Sequence, residues 1–124
     1  MGEYVSGVCN IGPAEITARR RAGWIGLSIT VALWVGFFAL RVPAPWRLTL
    51  FLPASAGASG FLQAAFRFCA GFGLRGVFNF GAVGRTQTVP DDEARRSDRR
   101  KALRLAAYSS LIGVAAALVG LVTA

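Results

Sequence analysis

A chain of 124 residues has room for one domain, and 54% hydrophobic residues with a mean hydropathy of +0.50 set it apart from ordinary soluble proteins. Fourteen Lys and Arg against six Asp and Glu give a net charge of +8, and histidine is absent. The missing imidazole excludes His-based acid–base chemistry and most transition-metal sites. The basic surplus flanks apolar runs, which is a topological pattern, so no nucleic-acid partner is expected.

Residues 1–21 form an N-terminal segment in which Pro13, after Gly12, reads as the first position of a helix, with Glu15 an acid in its positive first turn. That helix should run through Arg19, Arg20 and Arg21, set at the lipid headgroups, into a first span at 22–40 with Trp24 at the interface. No apolar core with a cleavage site precedes this span, so no removable signal peptide is expected. Residues 41–47 make a tight outer turn in which Pro43 and Pro45 break one helix and start the next, and Trp46 marks the second interface. The second span, 48–66, then forms an antiparallel hairpin with the first. Each span approaches the roughly 20 residues that a helix needs to cross a bilayer.

Pro53 predicts a bend in the second span. After it, Ser55 and Ser59, like Ala56 and Gly60, stand four apart and share a helix face. The third span, 102–124, has a matching stripe in Ser109, Gly113 and Ala117, with Gly120 beside it. Small residues at this spacing let backbones approach closely where lipid supplies no hydrophobic drive. Two uses stand open: packing within the three helices, or docking of another membrane subunit or a second copy. Gln63 is expected to bond to a neighbouring helix.

The connection 67–101 divides in two. Its Gly- and Phe-rich half, 69–84, reads as a short re-entrant or interfacial segment. In the other half Thr88 or Val89 before Pro90, with Asp91, Asp92 and Glu93 behind, reads as a helix start. Ion pairs at helical spacing are available to Arg95 and Arg96, and to Asp98 among Arg99, Arg100 and Lys101. The expected product is a solvated helix continuous with the third span, with Arg99, Arg100, Lys101 and Arg104 at anionic headgroups.

Counting charge by side orients the chain. Arg19 to Arg21 and nine basic residues between Arg67 and Arg104 lie on one side, and only Arg41 and Arg47 on the other. The N-terminus and the 67–101 loop are therefore expected in the cytoplasm and the C-terminus outside, in a bacterial cytoplasmic membrane.

Chemistry-bearing residues are few. No carboxylate lies within 22–40, 48–66 or 102–124, which argues against a proton or cation pathway. No catalytic residue, metal site or cofactor is expected. Two features remain. Residues 7–12 and 76–81 share the form G-V-x-N-apolar-G, and their Asn10, Gly12, Asn79 and Gly81 suit two tight turns that pair and seal one end of the bundle. Cys9 and Cys69 fall on that same side, with Arg67 and Arg75 about Cys69 as a positive setting for a thiol. A redox or sulfur-relay pair is one reading, and two unrelated small apolar residues the other.

Asn10, Gly12, Arg20, Gly23, Gly60, Phe61, Cys69, Gly76 and Asn79 together resemble the two-helix inner-membrane module found alone or fused to rhodanese sulfurtransferases. The likeness spans about residues 9–81. That module usually has proline after its cysteine, where this chain has Ala70, and it lacks the third span. The resemblance implies a thiol at the cytoplasmic face near a sulfur-handling partner, with Cys69 in that role. The expectation is thus an all-α membrane protein with three transmembrane helices. Its expected role is a non-catalytic accessory or scaffold subunit, and the alternative is a thiol-bearing module.

Overall fold

A computed structural model describes residues 4–123. Its helices are α1 (Pro13–Ala39), α2 (Ala44–Arg47), α3 (Phe51–Phe66), α4 (Ala70–Arg75) and α5 (Asp92–Val122), with a short antiparallel ribbon of β1 (Val77–Phe78) and β2 (Gln87–Thr88). Three rods are long and apolar enough to cross a membrane: Pro13–Ala39, Ala44–Phe66 and Asp92–Val122. At 1.5 Å per residue they measure roughly 40, 34 and 46 Å, against a hydrocarbon core of about 30 Å. The first and last therefore extend beyond the lipid, and their surplus carries a compact head built from residues 4–12 and 67–91.

Both ends of the helical hairpin close on arginine. Arg41 and Arg67 have φ of 52° and 53°, in the left-handed region where glycine is usual. Val42 N donates to Phe37 O at 3.1 Å, and Phe68 N to Gln63 O at 3.0 Å, so each turn satisfies carbonyls that its helix end leaves open. The bend expected at Pro53 falls earlier, as a 3₁₀ turn at Leu48–Leu50. Pro53 itself stands in the first turn of α3, where a missing N–H costs no helical bond.

The rods touch through glycine. A Cβ at Gly26 would lie 2.5 Å from Gly57 Cα, and one at Gly60 would lie 2.6 Å from Gly23 N, so α1 and α3 meet backbone to backbone. On the other flank of α3 a Cβ at Gly113 would strike Ser55 Oγ, and one at Gly120 would lie 2.7 Å from Leu50 Cδ1. Ser109, Gly113, Ala117 and Gly120 are all buried. Of the two uses open to the stripes, these residues serve packing within the bundle. Ala56 alone stays exposed.

Arg47 departs most from its expected place. It is 3% exposed, and its guanidinium donates to Val42 O at 2.9 Å, Phe37 O at 3.1 Å and Gly120 O at 3.3 Å. The last two carbonyls belong to the final turns of α1 and α5, the negative ends of both helices. A residue read as an outer-loop charge thus ties all three rods together.

The 67–101 connection departs from expectation where its second helix starts. Its Gly-rich half folds as α4 and β1, set against α5 beside Asp98. α5 begins after Asp91, whose side chain accepts from Ala94 N at 3.2 Å, and not at Thr88 or Val89. Thr88 is committed to the ribbon, Val89 N donates to Gly76 O at 2.8 Å, and Pro90 holds the residue before it extended. The continuous helix into the third span is present. Its first turns are only partly solvated, because Ala94, Asp98 and Ala102 are buried.

Candidate functional site

The head is organised by the two G-V-x-N-apolar-G copies. Their leading glycines, Gly7 and Gly76, both have φ of +70°. Asn79 N donates to Asn10 O and Gly12 N donates to Asn79 O, each at 2.9 Å, so the copies pair side by side. Gly12 must be glycine, since a Cβ there would lie 2.9 Å from the backbone of Phe80. Gly81 is exposed and donates its N–H to Asn79 Oδ1 at 2.9 Å, the local turn expected of asparagine. Asn10 bonds over a long range instead.

Each asparagine is buried and anchors the start of a helix. Asn10 clamps Cys69, which precedes α4: its Oδ1 accepts from Cys69 N at 2.6 Å and its Nδ2 donates to Cys69 O at 3.1 Å. Asn79 Nδ2 donates to Glu15 Oε2 in the first turn of α1, at 2.9 Å, and to Ala82 O at 2.7 Å. Glu15 was expected as a simple first-turn acid, yet it is 1% exposed. It also accepts from Gly84 N at 2.9 Å and pairs with Arg19 at 3.1 Å.

Arg19 continues this chain to sulfur. Its Nη2 donates to Cys69 Sγ at 3.0 Å, and its guanidinium lies 5.6 Å from the centre of the Phe72 ring. Expected at the headgroups, Arg19 instead turns inward, because it stands one helical turn after Glu15 on the face that meets α4. Lys101 is half-buried, donating to Val8 O at 3.1 Å at the surface with Phe66 and Phe68 about it. Arg20, Arg21, Arg99, Arg100 and Arg104 are exposed, as headgroup contact requires. Cys69 is 5% exposed and Cys9 is half-buried, with Cys9 N bonded to Val5 O at 3.0 Å. Neither forms a disulfide.

Asp98 does not pair with its arginine neighbours. It is fully buried, accepting from Tyr4 OH at 2.5 Å and Gly7 N at 2.7 Å, and Tyr4 stacks on Phe78 at 4.8 Å. Burial, and then the hydrogen bond to Asp98, hold the Tyr4 phenol well above its ordinary range. Asp92 makes the one expected arginine pair, with Arg95 at 3.6 Å. Gln63 bonds within its own helix, to Ser59 at 2.9 Å, and also accepts from Ala70 N at 2.9 Å, so it reaches the neighbouring helix as expected and caps the start of α4. Pairing of the motif turns was legible in their repeated pattern. The buried roles of Glu15, Asp98 and Arg47 had no local signal, because apart from Arg19 and Val42 their partners lie 64–94 residues away or in another rod.

A groove of about 340 Å³ opens between the rods, walled by Leu27, Phe61 and Ile112. Its one hydroxyl, on Thr30, is spent on Gly26 O at 2.7 Å. No titratable group lines the groove, so it suits an acyl chain or an apolar side chain. Among the described residues no cluster of His, Cys, Asp and Glu has the form of a metal site. Compared with known proteins, the chain matches no family model, no curated protein and no solved structure. The likeness to the two-helix module rests on its motif residues alone.

Proposed function

We propose that this chain is a small non-catalytic membrane subunit, head in the cytoplasm, that docks into a larger membrane assembly. The positive-inside distribution supports the orientation: the head, with the ends of α1 and α5 that carry it, holds twelve of the fourteen basic residues. The same distribution is the basis for assigning a bacterial cytoplasmic membrane. One observation carries the docking reading. The glycines that face other rods are filled by them, whereas Ser28, Ala32 and Gly36 on α1 form a second four-residue stripe turned away from α3. Ser28 and Ala32 are exposed, and a Cβ at Gly36 would meet nothing within 4 Å. Docking therefore moves from Gly60 and Gly113, which the bundle itself uses, to α1. The stripe has the spacing that admits another helix at close range.

The test compares Gly36→Leu and Ala32→Leu with wild type in mild detergent, reading particle size and copurifying chains. Both variants should lose their partners and keep wild-type helicity. Unchanged size and partners in both would overturn the docking role.

The thiol reading keeps one supporting observation, the Arg19 donor at Cys69 Sγ. It predicts that Cys69→Ser abolishes a redox or sulfur-transfer phenotype while leaving the assembly intact. Loss of assembly in that variant would make Cys69 a packing residue held by Asn10.

A further inference from the structure

A cavity of about 280 Å³ lies on the head where α4, the ribbon and α5 meet, and three arginines line it: Arg75, Arg95 and Arg99. Two of them are held in place. Arg95 Nε donates to Val89 O at 2.6 Å, and Arg75 Nε donates to Gly71 O at 3.4 Å with its guanidinium 5.4 Å from the Phe72 ring centre. In each the anchor uses Nε and leaves terminal nitrogens for a ligand. Two glycines make the convergence feasible. A Cβ at Gly73 would lie 2.9 Å from Asp98 O, and one at Gly76 would lie 3.2 Å from Arg95 Cδ, so the backbone of α4 and its turn sits directly on α5.

Like charges gathered on one cavity repel unless an anion lies between them. The acids nearby do not supply it. Asp92, 82% exposed, reaches only Arg95, at 3.6 Å. The Asp98 carboxylate is spent on Tyr4 and Gly7. Among the described residues Arg75 and Arg99 have no ion-pair partner. Thr88, also on the cavity wall, adds a hydroxyl. Planar guanidinium forks with a hydroxyl match phosphate oxygens, where each fork can make two parallel bonds.

We propose that Arg75, Arg95 and Arg99 form a phosphate-binding site on the head. Arg99 stands five residues before Arg104, about 7.5 Å along the helix, so the phosphate of a lipid headgroup and that of a soluble compound are both within its reach. The test uses the full chain in phosphatidylcholine nanodiscs and two probes. Inorganic phosphate is titrated and followed by ³¹P line width. Separately, native mass spectrometry counts the phosphatidylglycerol retained after reconstitution in mixed phosphatidylglycerol–phosphatidylcholine discs.

The double variant Arg75→Gln/Arg99→Gln should weaken one probe by about tenfold or more, as loss of charge-assisted hydrogen bonds implies. An effect on phosphatidylglycerol alone assigns the site to a lipid headgroup, and an effect on phosphate alone assigns it to a soluble ligand. Arg99→Lys should recover only part of the binding, because an ammonium has no fork. The single Arg99→Gln, which leaves both anchored arginines in place, serves if the double variant fails to fold. The site is refuted if neither probe separates wild type from the variants. It is equally refuted if Arg21→Gln, an exposed arginine outside the cavity, costs as much.

Discussion

Alanine at Gly26 and alanine at Gly36 should have opposite effects, although both lie on α1 ten residues apart. A Cβ at Gly26 would stand 2.5 Å from Gly57 Cα, 2.6 Å from Gly57 N and 3.0 Å from Pro53 O, all backbone atoms with no rotamer to swing aside. Carbon atoms rest about 3.5–4 Å apart, so α1 and α3 must part by about 1 Å. Overpacking of this kind costs about 1–3 kcal/mol, and the better helix propensity of alanine returns up to about 1 kcal/mol. Because every atom struck is backbone, the upper end of that cost applies, and the net loss should be about 2 kcal/mol. At Gly36 no atom lies within 4 Å of the new methyl, which leaves only the propensity gain. Reversible unfolding of the purified chain in mixed micelles, followed by tryptophan fluorescence, measures both. If Gly36→Ala destabilises as much as Gly26→Ala, or if Gly26→Ala is neutral, direct backbone contact is not what joins the hairpin.

Three further outcomes test the head. Asn10→Ala removes both bonds to Cys69 and strands a buried N–H and carbonyl, so it should cost about 2–4 kcal/mol and speed maleimide labelling of Cys69; unchanged labelling would mean the clamp is idle. Glu15→Ala leaves Arg19, Asn79 Nδ2 and Gly84 N without their acceptor. It should cost about 3 kcal/mol, the low end for a broken buried pair because the Arg19 side chain keeps 22% of its exposure. A loss under about 1 kcal/mol in a denaturant titration would refute that. For Tyr4, folding raises the phenol's pKa above its unfolded value of 10.0. Its contribution is therefore fully present below pH 10 and declines as pH rises from there toward the folded value. The melting temperature of wild type should fall more steeply from pH 9 to 11 than that of Tyr4→Phe; parallel curves would contradict the Asp98 bond.

Features written in local spacing were legible from the chain itself. The three apolar runs, the proline-marked turn at 41–47 and the helix continuous from the arginine-rich segment into the last span all depend on neighbours within a turn or two. So did the paired glycine–asparagine turns, because the repetition itself was the signal. The charged residues were not legible in this way. Glu15, Arg47 and Asp98 stand beside spans, where a charge is normally a headgroup contact or a topological marker, and nothing nearby shows that Asn79, Gly120 or Tyr4 will come to meet them. The two arginines with positive φ, Arg41 and Arg67, were hidden for a different reason: glycine would be expected at such helix ends, so its absence suggested no turn of that kind.

These buried charges also answer a problem specific to lipid. Apolar side chains gain nothing by leaving hydrocarbon for a helix interface, so close glycine packing alone leaves the three rods weakly coupled. Each buried charge adds a coupling between segments. Glu15 on α1 is closed by the 79–84 turn, Asp98 on α5 by the N-terminal segment through Tyr4 and Gly7, and Arg47 on the second rod by the ends of α1 and α5. A charge taken out of water is tolerated only when its partners are all in place, so none of these closures can be half made. The spans can therefore insert one by one, but the head and the opposite end close only around correctly packed rods. Disruption of Gly26–Gly57 packing should for that reason be felt at Glu15 and Arg47, well beyond the site of the added methyl.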